Sequence, residues 1–225
     1  MTTILDEEIK QLVRKRLAEM KDAVVLVHFT QQLECPSCED SLRLLQSLAK
    51  LSDKLTLEVH NFQLEHDAVA RYGVDKVPAT AVVGNKDYGI RLYGLPSGYE
   101  FSVLLEAILL VSTSKSGLSD SVKAKLHLLD SPVHLQVLTT PTCPYCPSAA
   151  HLAHRLALES ERIKADAIEA TQFPELVRRY RVRGVPHIVI NETASFSGAI
   201  PEEEFVEQLI ATVMPTAQAQ TGSVR

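Results

Sequence analysis

The residues able to do chemistry in this chain are four cysteines, set at one repeated spacing: Cys35-Pro36-Ser37-Cys38 and Cys143-Pro144-Tyr145-Cys146. Two thiols separated by two residues can close to a disulfide and reopen, so each tetrad can hold and release an electron pair. A thiol attacks a disulfide as its thiolate, and the converging N–H groups of a helix start lower a cysteine pKa from about 8.5 to somewhere between about 3.5 and 7.5. The spacing therefore predicts Cys35 and Cys143 at helix starts, as exposed nucleophiles. Cys38 and Cys146, one turn further in, are placed to resolve a mixed disulfide. Pro36 and Pro144 are read at the first helical position, where a missing N–H costs least. Ser37 differs from Tyr145, and these intervening residues tune how oxidising each pair is.

The other reading of two C-x-x-C pairs is a zinc site in which all four ligands are cysteines. Zinc pairs sit on short knuckles roughly 15–20 residues apart. Here each pair stands between a strand and a helix. Val24 to Phe29 reads as a strand before the first pair and 39–50 as a leucine-rich helix after it. Val133 to Leu138 and a helix over 143–158 flank the second. A C-x-x-C on a strand-to-helix turn points to redox chemistry, and no metal is expected.

The same unit occurs twice. Cys35 and Cys143 stand 108 residues apart, and so do Pro78 and Pro186 in the stretches Arg71 to Pro78 and Arg179 to Pro186. A third pair of landmarks, Gly94 to Phe101 and Gly198 to Phe205, is offset by 104, as a shorter hairpin in the second copy would require. A period of this length means tandem domains rather than a solenoid, whose repeats run about 20–50 residues. Each copy reads as a leading helix followed by β-α-β-α-β-β-α. The first has a helix at 6–20, strands at 55–60, 79–83 and 89–93, and helices at 65–72 and 99–112. The second has a helix at 119–129, strands near 163–168, 187–191 and 194–197, and helices at 173–180 and 201–213. Ser112 to Gly117 is small, polar and read as flexible, which divides the chain into 1–115 and 116–214, with 215–225 as a disordered tail.

Val77-Pro78 and Val185-Pro186 each precede an apolar strand. Beside a dithiol turn such a proline suggests a cis bond that leaves the preceding backbone open to an extended substrate. The duplication favours cis over a trans proline opening an edge strand. His28 is read as a core histidine, His151 and His154 as surface side chains, and His187 as a neighbour of the substrate position. None of the four is assigned to catalysis.

Composition sets the class. With 45% hydrophobic and 23% charged residues, a soluble globular protein is expected. A net charge of −5 without a basic block argues against nucleic acid and anionic membranes as partners. The amino-terminal stretch MTTILDEEIKQLVRKRL is a charged amphipathic helix without a signal peptide's apolar core, so a cytoplasmic location is expected. Disulfides there are mostly catalytic or redox-sensing, and no cysteine is left over for a structural bridge.

On these residues each half resembles a thioredoxin-fold domain. Cys143 to Cys146 matches the glutaredoxin tetrapeptide, from which Cys35 to Cys38 departs. Over about residues 5–213 the whole resembles the glutaredoxin-like protein disulfide oxidoreductases of thermophilic archaea and bacteria. The match is carried by Thr140 to Pro147, by Gly94-Leu95-Pro96-Ser97-Gly98-Tyr99-Glu100-Phe101 and by both Val-Pro sites. The resemblance implies an α/β fold of two tandem thioredoxin-fold domains, each a mixed central sheet flanked by helices. It implies exchange with protein disulfides and dithiols at both pairs, with the second often dominant. The thiols themselves carry the electrons, so no cofactor is expected in the chain. A thioredoxin-reductase-like flavoenzyme or glutathione would re-reduce it. A sibling with the same tandem fold, the amino-terminal domain of the flavoprotein that reduces alkyl hydroperoxide peroxidase, has lost its first pair. Both pairs are present here and no flavin-binding portion follows, so that protein is not expected. The rival readings are a dedicated electron donor to a peroxiredoxin and a non-enzymatic chaperone-like module working through the surface around Pro78 and Pro186.

Overall fold

Runs of β-branched and apolar residues become the strands, and the helices between them carry apolar stripes back onto those strands. A computed structural model describes residues 5–214, so the expected tail at 215–225 lies outside the described residues. The first half runs α1 (Glu7–Leu17), β1 (Val24–Thr30), α2 (Cys38–Ala49), β2 (Leu55–Asn61), α3 (His66–Tyr72), β3 (Ala79–Val83), β4 (Asp87–Tyr93) and α4 (Tyr99–Thr113). The second repeats it as α5 (Asp120–Leu126), β5 (Val133–Thr139), α6 (Cys146–Glu159), β6 (Ile163–Glu169), α7 (Pro174–Arg179), β7 (His187–Ile190), β8 (Ala194–Ser197) and α8 (Glu202–Val213). Asp6 caps α1 by accepting from the Ile9 N–H at 2.8 Å. Acidic residues open that helix and Arg14, Lys15 and Arg16 close it, as its dipole favours.

In each half one strand pairs in parallel on one side and antiparallel on the other: β1 with β2 and β3, β5 with β6 and β7. Hairpins add β4 and β8. The two sheets then join. β4 and β6 pair in parallel, from Ile90 opposite Ala165 to Tyr93 opposite Ile168, giving one eight-stranded sheet ordered β2-β1-β3-β4-β6-β5-β7-β8. Each of these strands would otherwise be an edge with unpaired N–H and C=O groups, and their pairing removes two edges at once.

One core under the sheet spans both halves, with Leu17, Leu45, Leu104, Ile108, Leu126, Leu156 and Phe205 among its buried side chains. The opposite face carries a second cluster that includes Phe29, Val74, Phe173 and Leu176. Helix α4 is apolar almost all round, and Val103, Leu104, Ala107, Ile108, Leu109, Leu110 and Val111 are all buried. A helix of that kind must be covered on several sides, here by the sheet and by α6. The connection between the halves is tied down rather than loose. Arg155 of α6 donates to the carbonyls of Ser116 and Gly117, each at 2.6 Å. Ser112, placed in that connection by the sequence, lies within α4, where its hydroxyl accepts from the Lys21 N–H at 2.8 Å.

Candidate redox site

Both tetrads lie between the carboxy end of a central strand and the start of the following helix. The helices begin at Cys38 and Cys146, so Cys35 and Cys143, expected at the helix starts, stand three residues ahead of them, with Ser37 and Tyr145 as the N-caps. The reason is a tight turn: the Cys38 N–H donates to the Cys35 carbonyl at 3.2 Å, and the i to i−4 pattern starts with Ser41 on Ser37 at 2.9 Å. Pro36 and Pro144 therefore shape that turn rather than occupying the first helical position, and it is Pro147 that sits in the first turn of α6. Cys35 is disulfide-bonded to Cys38 with Cα atoms 5.4 Å apart, and Cys143 to Cys146 at 5.5 Å.

The first cysteine of each pair is the more accessible one. Cys35 is half-buried against 2% exposure for Cys38, and Cys143 is 7% exposed against 0% for Cys146. Cys143 is thus less exposed than expected. Its sulfur is tucked against the other chain segment of the site, 3.7 Å from the Val185 carbonyl oxygen. Val77-Pro78 and Val185-Pro186 are both cis. The carbonyls of Pro78 and Pro186 accept from Gly94 and Gly198 N–H groups at 2.9 and 2.8 Å, which ties each Val-Pro turn to the loop after the hairpin. Pro78 and Pro186 are buried while Val77 and Val185 are half-buried.

The first half also reaches under the second tetrad. Tyr99 donates its N–H to the Pro141 carbonyl at 2.9 Å. Gly98, with φ +55°, packs so closely there that a Cβ would lie 2.3 Å from that oxygen. Glu100, only 5% exposed, accepts a hydrogen bond from the Thr139 hydroxyl just ahead of the tetrad, and its other carboxylate oxygen has no partner. Burial raises its pKa; the Thr139 hydrogen bond opposes this, the charge of Glu169 adds to it, and the result is about 8. A cavity of about 10 Å³, bounded by Tyr93, Glu100, Thr139 and Glu169, adjoins it. That is room for roughly one water.

Glu100 was not singled out from the sequence. Its counterpart by the repeat, Glu204, is exposed, so burial at this position comes from the neighbouring half and not from the local pattern. His28 is fully buried, its Nδ1 lies 3.0 Å from the Thr80 hydroxyl, and burial lowers its pKa to about 4, which fits a neutral core histidine. His154 is not a surface side chain: it is 1% exposed because α4 and the sheet cover α6, and burial holds its pKa at about 3. His151 is half-buried. His187 is 6% exposed with Nδ1 2.8 Å from the Ser197 hydroxyl, so it is engaged within the β7–β8 hairpin.

Known proteins share this arrangement. A thioredoxin domain model matches residues 133–211. The protein disulfide oxidoreductase of Aeropyrum pernix K1 superposes with a TM-score of 0.88, covers 98% of each chain and is 31% identical. The chain belongs to the tandem thioredoxin-fold protein disulfide oxidoreductases. A thioredoxin of Methanocaldococcus jannaschii is 32% identical to this chain over 80 residues, 94% of that shorter protein. The alkyl hydroperoxide reductase component AhpF of Xanthomonas campestris pv. phaseoli is 26% identical over 171 residues, 76% of this chain, and the chain spans 30% of that protein's length. Among the described residues no helix is long and apolar enough to cross a membrane. Nor does any group of three or more His, Cys, Asp or Glu side chains there form a metal-sized cluster.

Proposed function

We propose that this chain is a dithiol–disulfide oxidoreductase acting on protein disulfides, with Cys143 as nucleophile and Cys146 as resolving thiol. The Cys143 thiolate attacks one substrate sulfur and expels the other as a thiolate, leaving a mixed disulfide. The Cys146 thiolate then attacks the Cys143 sulfur, expels the second substrate thiolate and closes the disulfide, so two electrons pass to the substrate. Cys35 and Cys38 perform the same exchange or relay electrons. The observation that carries the reading is the disulfide-bonded Cys143–Cys146 turn set against the Val185-Pro186 turn, with the Cys143 sulfur 3.7 Å from the Val185 carbonyl oxygen. In this reading the backbone at Val77, Pro78, Val185 and Pro186 holds an extended substrate segment, while Pro36, Ser37, Pro144 and Tyr145 tune the two potentials.

The reductant in this reading is a thioredoxin-reductase-like flavoenzyme or glutathione, and the setting a reducing cytoplasm. The confinement of all four cysteines to the two pairs supports that setting. The test is dithiothreitol-driven reduction of insulin by wild type, Cys35→Ser and Cys143→Ser. Loss in Cys143→Ser with little loss in Cys35→Ser is expected, and equal activity in all three would refute the assignment. The likeness to the alkyl hydroperoxide reductase component favours a second reading, an electron donor to one peroxiredoxin. High turnover with a peroxiredoxin and little with insulin would select it.

A further inference from the structure

The two tetrads differ in what grips their third residue. Ser37 is half-buried, and its hydroxyl donates to the side-chain oxygen of Gln172, which belongs to the loop between β6 and α7 in the other half. The same oxygen accepts from the Leu95 N–H at 3.2 Å, so its acceptor positions are filled from two sides. Gln172 is itself held in place. Its N–H donates to Glu169 at 3.1 Å, and Gly94, at φ +99°, lies so close that a Cβ there would sit 3.2 Å from the Gln172 amide nitrogen. The repeat has no second copy of this contact. Tyr145, in the place of Ser37, is 69% exposed, and Leu64, in the place of Gln172, is 77% exposed.

We infer that Gln172 is a positioning residue for the first pair: by holding the Ser37 hydroxyl it withholds a hydrogen bond from the Cys35 thiolate and keeps the Cys35–Cys38 pair more reducing. The chemistry is a competition for one proton donor. In the dithiol state Cys35 carries a thiolate two residues from a serine hydroxyl at the mouth of the same turn. A hydrogen bond to an ionised acceptor is stronger than one to a neutral amide oxygen. A hydroxyl released to the thiolate would stabilise the reduced pair and raise its potential. A serine gripped from across the junction cannot do so, and the first tetrad is complete only when the second half is in place.

The inference rests on the redox reading of the pairs, yet its readout needs no protein substrate, so its failure and the failure of that reading can be told apart. In the full chain carrying Cys143→Ser and Cys146→Ser, the Cys35–Cys38 pair is equilibrated against glutathione redox buffers and its reduced fraction counted by alkylation and mass spectrometry. The Cys35 pKa is read from thiolate absorbance. Gln172→Ala is expected to favour the dithiol about tenfold, about 30 mV for this two-electron couple, and to lower the Cys35 pKa. Ser37→Ala alone should leave the equilibrium within about threefold of the parent, because the hydroxyl it removes is already engaged elsewhere. Adding Gln172→Ala to Ser37→Ala should then change nothing. No shift in Gln172→Ala, a shift toward the disulfide, or the same shift with Ser37 already replaced would each overturn the inference, the last by showing that Gln172 acts through packing alone.

Discussion

Glu100 is buried beside Glu169 with one carboxylate oxygen unpartnered, and burial lifts its pKa from 4.5 to about 8. Because the folded-state value lies above the unfolded one, the folded chain holds an extra proton between those limits. The stability it confers is complete below pH 4.5 and is lost as pH rises through about 8. Glu100→Gln, which keeps an acceptor for Thr139 without the charge, should flatten that slope and stabilise the fold by about 3 kcal/mol or less near pH 7. Urea midpoints of parent and variant at pH 5 and pH 7.5 check this: the gap should open with pH. A gap of the same size at both pH values would mean that the Glu100 carboxyl is not the source of the slope. Its burial was not legible in the chain because Glu100 and Glu204 share one repeat position, and only the neighbouring half makes them different.

At the level of elements, His134 ties three of them together at the start of β5. Its Nε2 lies 2.8 Å from Asp166 on β6, and its Nδ1 2.5 Å from Glu192 in the turn between β7 and β8. Burial alone would lower its pKa, but the hydrogen bonds and charges of Asp166 and Glu192 outweigh burial and raise it from 6.5 to about 8. The stabilisation is therefore fully present below pH 6.5 and is lost as pH rises through about 8. His134→Gln should cost about 1–2 kcal/mol at pH 6, allowing for solvent screening of this partly exposed ring, and close to nothing at pH 9. Thermal unfolding of both proteins at the two pH values measures it, and a cost independent of pH would rule out the charged pair. The elements themselves were largely readable. The run Val133 to Leu138 has the residue types of a strand, and Ala79 to Val83, Gly84-Asn85-Lys86-Asp87 and Gly89 to Tyr93 have the pattern of a hairpin, although Asp87, read in the turn, opens β4. The turns that hold Cys35 and Cys143 ahead of the helices were not, because a proline before a helix is compatible with either the first helical residue or a turn, and the outcome depends on which N–H takes the Cys35 carbonyl. His154 was misplaced for a similar reason: an alanine- and leucine-rich helix gives little sign of how many of its faces are covered.

For the whole molecule, duplication was visible in the spacing of cysteines and prolines, but fusion of the halves was not. Pairing of β4 with β6 depends on edges meeting in space, and Ile90 to Tyr93 and Ala165 to Ile168 carry no mark of it in their residue types. Its energetic consequence is a core common to both halves, in which Leu104 and Ile108 on α4 share one buried cluster with Leu152 and Leu156 on α6. Two domains joined only by a linker would unfold separately, whereas two that share a sheet and a core should unfold as one unit. Leu156 is completely buried, so Leu156→Ala should cost about 2–5 kcal/mol. In the reduced protein, alkylation of Cys38 reports opening of the first half and alkylation of Cys146 opening of the second, since each is nearly inaccessible when folded. Titrated with guanidinium chloride, both thiols should become reactive at one midpoint in the parent and at one lower midpoint in Leu156→Ala. A variant in which Cys146 opens early while Cys38 keeps the parent midpoint would mean that the continuous sheet joins the halves geometrically without coupling them, and that the Gln172 contact with Ser37 can break while the first half stays folded.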